Sequence, residues 1–193
     1  MKKNLILAMF SMAMFTFSLS SCKKETKEDD TKEVATEQNE AKFDENDNKE
    51  DDSKFLVAAA ETDLMEIEIG KLAQTKGTNQ GVKDFGKMLI DDHTKSANVT
   101  KPLAEKMKVS LPMAITEKGK ENYDKLNSEK QGKDFDQKFA DMMVDGHQDA
   151  ISKMEDASEN ANDPDIKAWA AGMLPTLRMH LEHAKALQQQ VKK

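Results

Sequence analysis

Four histidines, His93, His147, His180 and His183, carry most of the chemistry this chain offers. Asp92 stands beside His93, and His180 and His183 are one helical turn apart, on one face if that stretch is helical. Imidazoles and carboxylates facing one another inside a helical bundle form a nitrogen and oxygen site suited to Zn²⁺, Cu²⁺, Mn²⁺ or iron. The candidate metal ligands are therefore His93, His147 and His180, with Glu66 (or Glu68) and Asp92. The plainer reading needs no cofactor: the histidines are half-buried, hydrogen-bonded residues that fix helix register, and Asp92 and Glu66 are surface or capping groups. A ferritin-type di-iron centre is not encoded, because such centres use Glu-x-x-His pairs. The residues three before the histidines are Ile90, Val144, Leu177 and His180. Eight methionines, Met65, Met88, Met107, Met142, Met143, Met154, Met173 and Met179, suggest a thioether copper site, but their helical spacing fits core filling. No Ser/His/Asp constellation and no Gly-rich phosphate loop is present, so no catalytic residue is assigned.

The elements that must position these groups are helices. At 100° per residue, Leu56, Ala60, Ile67 and Gly70 form one stripe and Ala58, Met65, Ile69 and Leu72 another, predicting a helix over 53–76 that is buried on two sides. Ser53 is its expected N-cap, Asp63 is read as a solvated break in the first stripe, and Gly70 as a packing notch. A second helix is expected over 79–108, kinked or broken at Pro102. A short polar crossover over 116–130 is anchored by Tyr123 and Leu126. A third helix over 132–160 carries Phe135, Phe139, Met142, Met143, Ala150 and Met154. The last opens at Asn162-Asp163-Pro164, runs to the C-terminus through Trp169, Leu177 and Leu181, and should kink at Pro175. The expected fold is all-α: a ferritin-like four-helix bundle, two hairpins joined by a short crossover helix. The second apolar side of the first long helix could make a homodimer.

The N-terminal part reads as address and tether. Lys2-Lys3 precedes an apolar run that leads into Leu19-Ser20-Ser21-Cys22, which gives residues 1–21 the form of a secretory signal. Those four residues resemble the lipobox of bacterial lipoproteins, which implies lipidation at Cys22. That resemblance also implies a membrane partner through the lipid anchor and an outer-membrane location on the periplasmic or surface face. Residues 22–52 are rich in Asp, Glu and Lys and are expected to form an acidic disordered tether, leaving 53–190 as the folded domain. A net charge of −7 without a basic patch argues against nucleic acid. Cys22 is the single cysteine and gives the fold no internal disulfide.

The ordered set Glu66-Ile-Glu-Ile-Gly-Lys-Leu-Ala73, Asp92-His93-Thr94-Lys95, Leu111-Pro112, Phe135-Asp136, His147 and Leu174-Pro175-Thr176-Leu177 with His180 resembles a bacterial envelope family, domain-of-unknown-function family 4142. The resemblance implies a ferritin-like fold in the cell envelope. Where that family usually has Asp-His in the third long helix, this chain has Gly146-His147, with the acid at Asp145. The resulting expectation is a lipid-anchored, non-enzymatic binding or structural module. The alternative is a metal-binding or stress-protective domain built on the bundle histidines.

Overall fold

The computed structural model describes residues 30–193; the signal segment 1–21 and the lipidation residue Cys22 lie outside the described residues. Among the described residues the secondary structure is helical throughout: α1 Thr31–Phe43, α2 Asp47–Lys76, α3 Gln80–Met107, α4 Glu117–Asn127, α5 Lys133–Asn160 and α6 Pro164–Val191. Helices α2 and α3 form one hairpin, α5 and α6 the other, and α4 lies on the crossover between them, as the sequence predicts. None of the described helices is long and apolar enough to cross a membrane.

The tether expected over 22–52 is not a tether from residue 31 onward. The polar α1 folds because the rest of the chain supplies what its composition lacks. Ala35 and Phe43 are buried. The Asn39 amide donates to the Ser110 carbonyl at 2.9 Å and accepts from the Ser110 N–H at 2.7 Å. Lys32 meets Glu61 at 2.6 Å. Helix α2 begins six residues before the expected start, capped by the Asn46 side chain, which accepts from the Lys49 N–H at 3.1 Å. Ser53 is not the cap; it is buried inside the helix and donates to the Glu50 carbonyl at 2.7 Å. The second apolar side of α2 is covered within the same chain, by α1 and α4.

Two buried carboxylates tie helix starts to other helices. Asp136 of α5 accepts from the Thr78 and Asn79 N–H groups and the Thr78 hydroxyl at the start of α3. Asp52 of α2 accepts from the Asn162 and Asp163 N–H groups before α6, both at 2.7 Å. Each satisfies donors that a helix N-terminus leaves unpaired. Neither Pro102 nor Pro175 breaks its helix. Both are exposed, so the carbonyls they leave unbonded can turn to water.

Gly70 is the packing notch expected. A Cβ there would sit 2.6 Å from the Gly86 carbonyl oxygen of α3, and a Cβ on Gly86 would sit 2.7 Å from that of Gly70. Backbone cannot yield as a side-chain tip can. Gly70→Ala should therefore destabilise the fold by about 1–3 kcal/mol. Gly172→Ala, with nothing within 4 Å of the added carbon on exposed α6, should stabilise by about 0.5–1 kcal/mol. Paired urea titrations check both signs.

The core is in two parts. One is built around Ile69, Leu89, Phe139 and Val144 and reaches Ala184. The other is built around Ala59, Ala104, Ala157 and Ala170 and holds Trp169. On each of the four long helices a polar residue stands between the two: Glu66, His93, His147 and His180.

Candidate metal centre

His93, His147 and His180 are 4%, 1% and 0% exposed, so the three imidazoles are solvated by nothing but protein. They come from α3, α5 and α6, and one nitrogen of each lies within 4.8 Å of one nitrogen of the others. Ring centroids are 5.2 to 6.2 Å apart, and Phe85 packs on the rings of His147 and His180 at 6.1 and 6.0 Å.

Each ring is tied down at its outer nitrogen. His93 Nδ1 is 2.8 Å from Asp63 Oδ1, and Ser96 Oγ donates to the other oxygen of that carboxylate at 2.9 Å. His147 Nδ1 is 2.9 Å from the Met143 carbonyl, which can only accept. His180 Nε2 is 3.0 Å from Asp92 Oδ2. These acceptors place the protons on the outer nitrogens and leave three inward lone pairs, on His93 Nε2, His147 Nε2 and His180 Nδ1. His147 Nε2 and His180 Nδ1 face each other at 3.2 Å, two acceptors with no hydrogen between them in this tautomer state. His93 Nε2 is buried with no hydrogen-bond partner, and so is Glu66 Oε2 on α2. Buried unpaired acceptors cost free energy unless a cation or proton meets them. Three converging imidazoles fit a divalent transition metal, and the Glu66 carboxyl lies nearby and could supply charge.

The electrostatics divide the centre: they keep His147 and His180 neutral and favour a proton on His93 and on Glu66. Burial, and then the neighbouring His180, push His147 down to about 3. Burial lowers His180 as well, against the opposing bond from Asp92. Burial alone would lower His93, but the Asp63 hydrogen bond and the charges of Glu66, Asp63 and Asp92 together raise it. Burial raises Glu66, opposed by His93 and helped by Asp63. It raises Asp63 too, against the His93 bond. The Lys95 and His180 bonds hold Asp92 below the usual carboxylate range although its partial burial works against them.

The structure thus gathers His93, His147 and His180 in one buried centre, with the buried Glu66 carboxyl close enough to act on the charge of His93. Asp92 is placed outside it, on the outer nitrogen of His180 and 2.8 Å from Lys95. Glu68 pairs with Lys71 at the surface, and His183 is exposed with its ring edge-on to Phe85 at 6.4 Å. Asp63 corrects the sequence reading: it is 3% exposed, not solvated. Its spacing three residues before Glu66 puts it on the same face of α2, which was the signal for it. A Cβ at Gly146 would meet Glu66 Oε1 at 3.7 Å, an ordinary contact, so no close approach at this position requires glycine. Seven of the eight methionines pack in or against the two apolar cores; Met179 is exposed.

No curated protein matches the chain. Among solved structures, the fold is similar to that of a protein described as "CopM in the Cu(II)-bound form", with a TM-score of 0.60 and 17% sequence identity. The match covers 72% of this chain and 96% of that one, and at this identity it speaks to the fold alone. The family whose model matches residues 33–187 is described as a domain of unknown function, DUF4142, and this chain belongs to it.

Proposed function

We propose that this protein binds a divalent transition metal, Cu²⁺ foremost, in the cell envelope, at His93, His147, His180 and Glu66. The observation that carries the proposal is the inward convergence of three imidazole nitrogens whose outer nitrogens are each fixed by an acceptor. A register-fixing role for the histidines needs hydrogen bonds, which the outer nitrogens already make; it gives no reason to leave His93 Nε2 and Glu66 Oε2 unpaired. Imidazole-rich donor sets favour copper and zinc over manganese, and the structural neighbour described as Cu(II)-bound puts copper first. We read the role as metal binding, with the carboxylates beside the rings, Asp63 on His93 and Asp92 on His180, fixing the outer nitrogens so that the inner ones are free to ligate. The lipobox-like Leu19-Ser20-Ser21-Cys22 supports anchoring through acylated Cys22 at the outer membrane, with mass spectrometry of the mature N-terminus as its check.

The test is a metal inventory joined to thermal melts of the purified protein. One equivalent of metal should be present, and free metal at a hundred times its Kd should stabilise by about 2.7 kcal/mol, raising Tm by about 5–10 °C for a domain of this size. His93→Ala with His180→Ala should lose both the metal and the shift. A metal-free protein whose melting ignores Cu²⁺, Zn²⁺ and Mn²⁺ would overturn the proposal.

A further inference from the structure

A second group of soft donors lies along the same helix pair. Three contacts fix the antiparallel register of α5 and α6: Gln137 with the Val191 carbonyl at 3.0 Å, Asp141 with Gln188 at 2.7 Å and His147 with His180 at 3.2 Å. Met154 comes seven residues after His147 and Met173 seven before His180. The register that brings the two imidazoles together therefore sets the two thioethers across from each other, about 10 Å farther along the bundle. Both methionines line a cleft of about 200 Å³, with Trp169 in its wall and His93 and Asp63 at its inner end. A methionine that only fills a gap leaves no space beside it. These two border space that no side chain occupies.

We propose that this cleft is a second metal site, for a soft monovalent cation, Cu⁺ or its redox-inert counterpart Ag⁺, held by the sulfurs of Met154 and Met173 against the Trp169 ring. Thioethers are uncharged and polarisable, and they select Cu⁺ over harder divalent ions. An indole face attracts a cation, the more so out of water. The lysines that line the cleft, Lys54 and Lys153, do not oppose a cation with free charge: Lys54 meets Asp51 at 2.8 Å and Lys153 meets Asp149 at 2.6 Å. The site stands on the cleft alone and not on the divalent reading of the imidazole centre.

Trp169 is the one tryptophan of the chain, so its emission reports on this cleft directly. Metal-free full-length protein is titrated under nitrogen with Ag⁺, and with Cu⁺ supplied as its acetonitrile complex. Saturable quenching of Trp169 is expected with both. Met154→Leu with Met173→Leu, which keeps the volume of the core, should weaken Ag⁺ binding about 100-fold and leave the stoichiometry of divalent metal as in the wild type. His147→Gln with His180→Gln should abolish divalent binding and leave the Ag⁺ quench in place, which separates failure here from failure of the divalent site. Wild-type Ag⁺ affinity in the methionine pair variant, or no quench in the wild type, overturns the proposal. If the leucine pair does not fold, X-ray absorption of the Cu⁺-loaded wild type decides: sulfur neighbours support the site, and nitrogen and oxygen neighbours alone reject it.

Discussion

Glu66→Leu should make the metal-free protein more stable and the metal-loaded protein weaker. Glu66 is 3% exposed, and its Oε2 has no hydrogen-bond partner. A buried acceptor left without a partner costs about 1–3 kcal/mol, which an apolar side chain of similar length does not incur. Burial also raises the Glu66 pKa, so the fold resists the charged form that a metal needs. Removing the carboxylate should raise the Tm of the chelator-treated protein by about 3–8 °C for a domain of this size. The same change takes one donor from the centre and the only one that brings charge, so affinity for Cu²⁺ should fall at least about 100-fold. Even partners one step removed from a metal are worth about 10–100-fold. Opposite signs in the two states identify a group retained for binding at the expense of stability. A metal-free variant that melts below the wild type would mean that the carboxylate has a structural partner and that the centre is not held ready for a cation.

The same trade explains what could be read in advance. The four long helices are legible because each repeats an apolar stripe with the helical period, and Asp163-Pro164 and Gly77 mark ends by local chemistry. His93, His147 and His180 were candidates because they are rare residue types on separate helices. Whether they meet is decided by the relative rotation and register of α3, α5 and α6, which only packing between helices sets, as the Gly70 and Gly86 contact sets α3 against α2. Asp63 was misread for the related reason that an acid within an apolar stripe is compatible with solvent or with a buried partner. The partner, His93, lies 30 residues away. Helix α1 was illegible because its own residues bury little; Asn39 and Phe43 find their places only when the 108–114 segment passes beside them. Propensity and composition describe a segment by itself, and α1 is stable through what lies against it.

Acid should unfold the metal-free protein through His147. This imidazole is held near 3 in the fold and has an ordinary value of about 6.5 in the unfolded chain. Between those two values the unfolded state binds a proton that the folded state refuses. The stability contributed by neutral His147 is therefore complete above pH 6.5 and is lost as pH falls, by about 1.4 kcal/mol per pH unit. At pH 4.5 the loss is about 3 kcal/mol. His180, also lowered by burial, acts in the same direction. His93 is raised, so below pH 6.5 it is protonated in both states and adds no slope there. Asp63 and Glu66, raised by burial, act oppositely, because the fold takes up their protons before the unfolded chain does. The comparison that isolates His147 is with His147→Leu, in which both carboxylates remain. Between pH 7 and pH 4.5 the wild type should lose about 3 kcal/mol more than this variant, measured by urea titration at each pH in the presence of chelator. Parallel slopes would show that His147 is not held neutral, and with it would go the inward lone pair on which metal coordination at this ring depends. Adding Cu²⁺ should move the acid midpoint of the wild type to lower pH, because the ion and the proton compete for the same nitrogen, and should leave that of the variant almost where it was.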